Sequence, residues 1–441
     1  MLSAMRNVSR LTMRSVARLA IRTLSASPPK DFIKYDPSNV RTVFENQQTY
    51  SIVSNALLYQ VLSNVPLVDY GKKVAKQILF QENSNQRYFT KVPWVLRFST
   101  KHFLMWTVLT NFYSGDWFED CVDLCEIWYN RDGVTGICDF SYDEESTDPG
   151  RFQEYMDNII RDHSILDNEV ANGGIRFSAL KATALIDPGV LERLTIILQN
   201  NNFDNSNTSN THSSRNTRNT NDTQDKVASD YINLLSEGDK KEYLNGIARL
   251  ARVIRFSSSY RVALLLDAEK TNMQPAVELI AQEMSQKYNK VGQPIAIYNT
   301  YQMYLRRSPS ALKRDMMRAE EKGYLFACKI VRGAYMLSER ETAQSNSVDD
   351  PVLSTREETD LAFNTAVTDV LNKISKSSVA SSAPLPTPSI MIATHNRVSL
   401  QLAVDNMQRL RMSNDDKHVH FAQILGIVDN LTISLAKSGY Y

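Results

Sequence analysis

Residues 325–335 contain the side chains best suited to chemistry, because two cations and a glycine interrupt an apolar run there. Lys329 and Gly333 share one face of a strand by its two-residue period, whereas Arg332 points to the other face. Cations in a buried strand need an anion or an electron-rich partner, and glycine lets a flat ligand approach the backbone. The segment therefore predicts a ligand site, with a structural ion pair at a strand end as the alternative.

Two carboxylates and a lysine occur at the ends of other apolar runs. Five apolar residues, 262–266, stop at Asp267, and Glu269 follows two positions later. Side chains two apart on a strand point the same way, so the pair favours a site over a helix cap. Lys181 interrupts the apolar run 180–185, where a lysine either emerges at a functional surface or pays a large desolvation cost. A solvated strand end is the alternative for that lysine.

Amides and hydroxyls follow two further runs. Asn299 opens the string Asn-Thr-Tyr-Gln after one run, and Thr394, His395 and Asn396 follow another. Such side chains can hydrogen-bond the polar atoms of a heterocycle. A hydrogen-bonded turn is the alternative for the first group, and a structural histidine is the alternative for the second.

Seven apolar runs of strand length position these residues, and the intervals between them are long enough for helices. The runs are 134–141, 180–185, 261–267, 294–298, 325–331, 389–393 and 419–425. Most are continuous rather than alternating, which is typical of parallel strands covered on both faces. No G-x-G-x-x-G follows any of them, which counts against a doubly wound dinucleotide fold. We therefore predict an α/β fold, a (β/α)8 barrel over residues 133–441, with its site at the carboxyl ends of the strands.

The segments outside these runs differ from them in composition and in the spacing of their apolar residues. Helical spacing of apolar residues predicts a helical N-terminal region over 31–132. Residues 200–225 are too polar to bury a core, and we predict that they are disordered; residues 376–388 predict a loop. The stretch 92–112 is interrupted by charges, which predicts a buried or interfacial helix and a candidate contact with a membrane rather than a span.

Overall charge and cysteine usage exclude several classes of protein. The chain has 50 Lys+Arg against 49 Asp+Glu, so it has no general basic field and we expect no nucleic-acid partner. Its four cysteines contain no C-x-x-C pair, which argues against a disulfide scaffold and a structural zinc site. We predict no metal.

The first thirty residues are rich in arginine and serine and contain no acid. Their arginines recur every fourth residue, which predicts a basic amphipathic helix. This composition is typical of a mitochondrial transit peptide, so we predict a mitochondrial protein of the matrix or inner membrane. A disordered or surface-binding arm is the alternative.

The string Lys-Ile-Val-Arg-Gly-Ala-Tyr at 329–335, with Leu-Asp-Ala-Glu before it and Ala-Thr-His-Asn after it, resembles the proline dehydrogenases, most closely those of mitochondria. Similar strings recur in the family's order on successive strands, at 139–142, 181–185, 299–302 and 421–426. The resemblance implies a distorted (β/α)8 barrel that holds FAD. It also implies oxidation of L-proline to Δ1-pyrroline-5-carboxylate, the first step of proline catabolism, with electrons passed to membrane quinone.

On the substrate side, the resemblance implies that Lys181 pairs with the proline carboxylate and that Asp267 positions this lysine. Tyr335 joins them as a catalytic residue, and Ile424 forms an apolar wall for the proline ring. Hydride transfer from proline C5 needs a deprotonated amine and a ring held against the flavin. Loss of the amine proton to water suffices, so we assign no general base.

On the cofactor side, the resemblance implies that Asn299 and Lys329 lie against the flavin ring near its reactive nitrogen. The shelf under the isoalloxazine would be Gly333, Ala334 and Tyr335. The residues that reach the ribityl or pyrophosphate part would be Thr394, His395 and Asn396.

A closed barrel needs eight strands, and seven runs are present. Family members continue past the position of Tyr441 with a strand and a final helix whose paired arginines clamp the substrate carboxylate. We therefore expect a C-terminally truncated member, weakly active or inactive as it stands. The first alternative is a non-catalytic barrel that binds flavin or a partner. A metal hydrolase using His395, His418 and His420 is a further alternative, although the last two lie at the wrong end of the barrel for it.

Overall fold

Seven parallel strands form one curled sheet in the computed structural model, and they follow one another in chain order from β1 to β7. The structure describes residues 36–39, 43–47, 118–139, 150–164, 175–201, 228–379 and 386–441. The strands are β1 Gly136–Asp139, β2 Ile175–Leu180, β3 Ala263–Leu266, β4 Ile297–Gln302, β5 Ala327–Val331, β6 Ser389–Ala393 and β7 Val419–Ala422. This confirms the predicted α/β barrel-type fold.

Helices connect every pair of successive strands, as parallel crossovers require, and one further helix flanks the sheet at each end. They are α1 Phe118–Asp132, α2 Arg151–Ser164, α3 Pro188–Asn200, α4 Ala228–Ile232, α5 Glu237–Ser259, α6 Gln274–Tyr288, α7 Ser308–Lys322, α8 Met336–Ser345, α9 Arg356–Val379, α10 Arg397–Arg409 and α11 Asp429–Lys437. No helix in the described ranges is both long enough and apolar enough to cross a bilayer. The predicted transit peptide, the stretch 92–112, most of the N-terminal helical region and nearly all of the insert 200–225 lie outside those ranges.

The sheet has a helix-covered outer face and an inner face filled by its own side chains. The outer face packs against the helices in two large clusters, one around β2 and β3 and one around β4 to β7. The inner cluster contains Phe177, Ala263, Leu265, Tyr298, Ala327 and Met391. The continuous apolar runs therefore arise because both faces of the central strands β2 to β6 are largely buried.

Strands β1 and β7 are the two edges of the sheet, which has one strand fewer, within the described ranges, than a closed eight-stranded barrel. At the β7 edge, the backbone N–H of Phe421 donates to the carbonyl of Tyr441. The Arg176 guanidinium of β2 lies 5.2 Å from the centre of the Tyr441 ring. Helix α1, which precedes β1, contacts α11, which follows β7, so the helices beside the two edge strands touch each other.

Two strand predictions were misplaced. The predicted run 180–185 is not a strand, because β2 ends at Leu180 and residues Ala182–Ala184 form a 3-10 turn. A buried 3-10 turn made of Ala-Thr-Ala is as apolar as a strand, so composition alone does not distinguish the two. The fourth run was set too early, since β4 is Ile297–Gln302. The shift of β2 places Lys181 directly after the carboxyl end of its strand, and the shift of β4 places Asn299 within its strand.

Gly246 allows helix α5 to contact the turn that follows β2. A Cβ built on Gly246 would lie 2.3 Å from Cγ1 of Ile186 and 3.0 Å from the carbonyl oxygen of Leu185. Such distances leave no room for a methyl group. Gly333, which follows β5, is crowded in a different way: its φ is 145°, and a Cβ there would lie 1.4 Å from Cδ1 of Tyr304.

We predict that Gly246→Ala lowers the free energy of unfolding by ~1–3 kcal/mol through overpacking, although alanine is the better helix former. Gly238→Ala in the same helix is the matched control, because the nearest atom to its Cβ is 4.0 Å away. That control should be neutral or slightly stabilising. Urea denaturation measures both, and equal stability of the two variants would contradict the packing seen here.

Gly333→Ala should cost about 3 kcal/mol of unfolding free energy, since overpacking against Tyr304 adds to backbone strain. Gly292→Ala is the comparison, because Gly292 also has a positive φ of 82° but no atom within 4 Å of a built Cβ. Strain alone should cost that variant ~1–2 kcal/mol. If both variants lose the same stability, Tyr304 does not occupy the space beside Gly333.

Candidate active site

Three of the predicted site residues meet at the carboxyl ends of the strands. Lys181 follows β2, Asp267 follows β3, and Lys329 lies within β5. The backbone N–H of Asp267 donates to the carbonyl of Leu180 at 2.8 Å, so the chain segments that leave β2 and β3 remain adjacent. The two-residue period continues the inner face through all three positions.

Lys329 and Asp267 form an ion pair across the inner face, with Lys329 Nζ donating to Asp267 Oδ1. The side chains are 14% and 24% exposed. Because the pair is largely shielded from water, its attraction is stronger than that of a surface pair. Removal of one partner would leave a partly buried charge uncompensated.

Asp139, the last residue of β1, is a fourth charged group near this pair. Desolvation raises the pKa of its carboxyl, the negative charge of Asp267 raises it further, and the cations Lys329 and Lys181 oppose the shift. Two acids and two bases therefore lie within electrostatic range of each other. Asp139 is not among the predicted site residues, although it follows two apolar residues, Ile137 and Cys138, much as Asp267 follows the apolar run 262–266.

Asn299 is not grouped with Lys329. The strand register pairs Asn299 with Leu266 and with Cys328, both of which belong to the outer, helix-facing clusters. Asn299 lies next to the phenol of Tyr301, but its buried amide atoms have no hydrogen bond to a residue in the described ranges.

Thr300 instead occupies the inner position beside Lys329. The two residues are register partners on β4 and β5. Thr300 is buried, and its hydroxyl has no hydrogen-bond partner in the part of the chain that the structure describes. Counting the two-residue period from Tyr298, which belongs to the inner cluster, identifies this position.

The predicted shelf begins where β5 ends. Gly333 and Ala334 are exposed, and Tyr335 is half-buried at the start of α8. The ring of Tyr304 lies directly against Gly333, so the glycine is required by this packing irrespective of any ligand. The Ala334 N–H donates to Oε1 of Gln302 at 3.2 Å.

Arg332 points away from the inner face, as predicted, and has a structural role there. Its guanidinium donates to Asp360 at 2.6 and 2.8 Å, to the Thr394 hydroxyl at 2.5 Å and to the Ser399 hydroxyl at 2.8 Å. It also lies 4.5 Å from the centre of the Phe363 ring. Arg332 thus joins β5, α9, the end of β6 and the first turn of α10.

The residues after β6 are held by their own contacts. Thr394 accepts a hydrogen bond from the Asn396 N–H at 3.1 Å. Asn396 is the N-cap of α10, where its side chain accepts from the N–H groups of Val398 and Ser399. These contacts fix the loop between β6 and α10 at the same edge of the sheet as Lys329.

His395 links the loops that follow β6 and β7. Its Nε2 accepts a hydrogen bond from the Ile424 N–H at 2.9 Å, which requires the neutral ring. Partial burial lowers the pKa of His395 and so favours that form. The Ile424 side chain is 64% exposed, so within the described contacts its backbone, not its side chain, is engaged.

The three histidines of the metal-hydrolase alternative are not grouped. In the described part of the chain, no cluster of three His, Cys, Asp or Glu side chains is arranged to hold a metal ion. His420 lies inside the sheet with its ring centre 4.9 Å from that of Phe177, and its pKa is lowered by burial to about 4.

Relatives of known sequence include proline and hydroxyproline dehydrogenases. Mitochondrial proline dehydrogenase 1 of Drosophila melanogaster is 33% identical over 209 residues, which are 47% of this chain and 30% of that protein. The Dictyostelium discoideum protein of the same name is 29% identical over 336 residues, 76% of this chain and 56% of that protein. Hydroxyproline dehydrogenase of Xenopus laevis is 33% identical over 208 residues, 47% of this chain and 43% of that protein. The chain thus spans less than two thirds of the length of each.

Among solved structures, proline utilization A from Bdellovibrio bacteriovorus, inactivated by N-propargylglycine, superposes with a TM-score of 0.58. The match covers 78% of this chain and 31% of that one at 14% identity, which supports a shared fold. The sequence profile of the family described as Proline dehydrogenase matches residues 131–441, well over half of the chain. The chain therefore belongs to the proline dehydrogenase family of oxidoreductases.

Proposed function

We propose that this protein oxidises L-proline to Δ1-pyrroline-5-carboxylate with FAD as cofactor and passes the electrons to a membrane quinone. Membership of the family supports the reaction class. The observation that carries the proposal is the convergence of Lys181, Asp267 and Lys329 at one edge of the sheet. A flavin-dependent dehydrogenase of an amino acid needs cations for the substrate carboxylate and a polar edge for the cofactor, and this cluster provides both kinds of group.

For the substrate, Lys181 would bind the proline carboxylate as a charge-assisted hydrogen-bond donor. Asp267 would keep Lys329 in place through their ion pair, while its proposed pairing with Lys181 remains a prediction. Tyr335 would border the substrate from the start of α8, and Ile424 would shield the proline ring from water. The amine proton would leave to water before the oxidation step.

For the cofactor, the buried polar groups beside Lys329 fit a flavin. The Thr300 hydroxyl has no partner among the described residues, and a buried hydroxyl of this kind favours a ligand that supplies one. Lys329 and Thr300 would contact the ring edge, and Gly333 and Ala334 would support its face. The proposed contacts beyond the ring are Thr394, His395 and Asn396. Asn299, predicted at the ring, lies on the outer face of β4, so Thr300 takes its place at the ring edge in this proposal. When bound, FAD supplies the two-electron acceptor for the oxidation.

We also propose a mitochondrial location, in the matrix or at the inner membrane. The proline dehydrogenases of Drosophila melanogaster and Dictyostelium discoideum are named mitochondrial. The Arg-rich, acid-free composition of residues 1–30 agrees with import into that organelle. Contact with the membrane through residues 92–112 would bring the enzyme to its quinone.

Hydroxyproline is a second candidate substrate, because hydroxyproline dehydrogenase of Xenopus laevis is as similar to this chain as proline dehydrogenase 1 of Drosophila melanogaster, at 33% identity. A ring hydroxyl in a site built for proline would need a new hydrogen-bond partner. The ratio of kcat/KM for the two amino acids therefore decides which one the site recognises.

The test is the reduction of FAD bound to the purified chain. We expect L-proline to bleach the flavin absorbance and to drive at least slow reduction of a dye acceptor, in line with the weak activity expected from the sequence, with hydroxyproline compared in parallel. Lys181→Met should raise the KM for proline by roughly 10–100-fold, since a hydrogen bond to a charged group contributes about 1.5–3 kcal/mol. Lys241→Met is the control, because Lys241 is exposed on α5. Flavin that binds but is bleached by neither amino acid would contradict the proposal and favour the non-catalytic barrel.

A further inference from the structure

Glu269 lies at the centre of a hydrogen-bonded network at the edge that carries the candidate site. Glu269 is buried, with 4% of its surface exposed to solvent. Oε1 accepts from the Thr183 hydroxyl at 2.8 Å, and Oε2 accepts from the Tyr335 hydroxyl at 3.4 Å. One buried carboxylate thus joins the turn after β2 to the start of α8.

The backbone of Glu269 extends the same network. Its N–H donates to Oε1 of Gln274 at 2.7 Å, and its carbonyl accepts from Nε2 of Gln302 at 2.9 Å. Oε1 of Gln302 in turn accepts from the N–H of Ala334. Glu269 and Gln302 therefore connect the carboxyl ends of β2, β3, β4 and β5.

The three groups proposed to hold the substrate from the ends of β2, β3 and β5 are attached to this network within two residues. Lys181 precedes Thr183 by two positions, Asp267 precedes Glu269 by two, and Tyr335 is itself a member. Displacement of Glu269 would therefore change the spacing between these groups. In a water-poor setting, such hydrogen bonds strengthen one another, and a fully satisfied network holds its members rigidly.

We propose that Glu269 is a positioning residue for the proposed oxidation of proline. It acts through Thr183 and Tyr335 and does not touch the substrate. The inference rests on the proposed function for its kinetic consequence. Its structural consequence, an ordered edge around Lys181 and Tyr335, does not depend on catalysis.

The substitution pair Glu269→Ala and Glu269→Gln separates positioning from charge. Alanine removes both acceptors. Glutamine keeps Oε1 as an acceptor for Thr183, and its amide can donate to the Tyr335 oxygen. We expect Glu269→Ala to lower kcat for proline about 100-fold, because misplacement by about 1 Å costs that much, and to raise KM by less than Lys181→Met does, because the Lys181 cation is still present. Glu269→Gln should restore kcat to within about threefold of the unmodified chain.

Hydrogen–deuterium exchange gives a readout that needs no activity. In Glu269→Ala, exchange should rise in peptides covering 181–186 and 333–338 and stay unchanged in a peptide from α10, 397–409. Thr183→Val is the second variant if alanine at 269 prevents folding, because valine keeps the shape and removes only the hydroxyl. Thr183→Ser should restore both the exchange pattern and kcat.

Unchanged exchange in the two edge peptides would overturn the proposal, as would an equal rise in the α10 peptide with no recovery in Glu269→Gln. If the unmodified chain does not oxidise proline, the proposed function fails. The exchange pattern of Glu269→Ala and Thr183→Val still decides whether Glu269 orders the edge.

Discussion

The ion pair between Lys329 and Asp267 is the interaction on which the candidate site depends. Parallel strands in register bring residues from distant parts of the chain to one edge, and opposite charges at that edge must then be paired or stay hydrated. Here Lys329 of β5 reaches past β4 to the carboxylate that follows β3, and both side chains are largely shielded. Asp139 and Lys181 lie close enough to alter the same electrostatic field. The barrel-type sheet thus concentrates charge that separate surface loops would leave in water.

The segments that carry the site residues are held in place by contacts of other residues. Arg332, on the opposite face of β5, joins that strand to the ends of β6, α9 and α10. Glu269 and Gln302 connect the ends of β2 to β5. Close packing at Gly246 and Gly333 holds the turns that carry Lys181 and Tyr335. Residues proposed to bind the substrate and residues that hold them in position therefore lie within a few positions of each other on the same short segments.

The architecture was predictable because buried parallel strands have continuous apolar runs. Six of the seven predicted runs overlap β1 and β3 to β7, and the run 180–185 shares only Leu180 with β2. The errors have physical reasons. Strand β2 contains Arg176 and Ser178, so it reads as less apolar than the 3-10 turn that follows it. The amide of Asn299 predicts a place beside Lys329 in the site. The strand register decides which face of β4 the side chain occupies, and it puts Asn299 on the outer face. The hydrogen-bond partners of Glu269 could not be predicted from the sequence, since Thr183 and Tyr335 are 86 and 66 positions away along the chain.

A double-mutant cycle on Asp267→Asn and Lys329→Met, followed by urea denaturation, measures the coupling within this pair most directly. The exposed pair Lys313–Asp369, with its charged atoms 3.7 Å apart, is the control and should couple by no more than about 0.5 kcal/mol. The shielded pair should couple by about 1 kcal/mol or more. Additivity of the two substitutions within ~0.3 kcal/mol would show that the charges do not meet, and the grouping of Lys181, Asp267 and Lys329 into one site would fail with it.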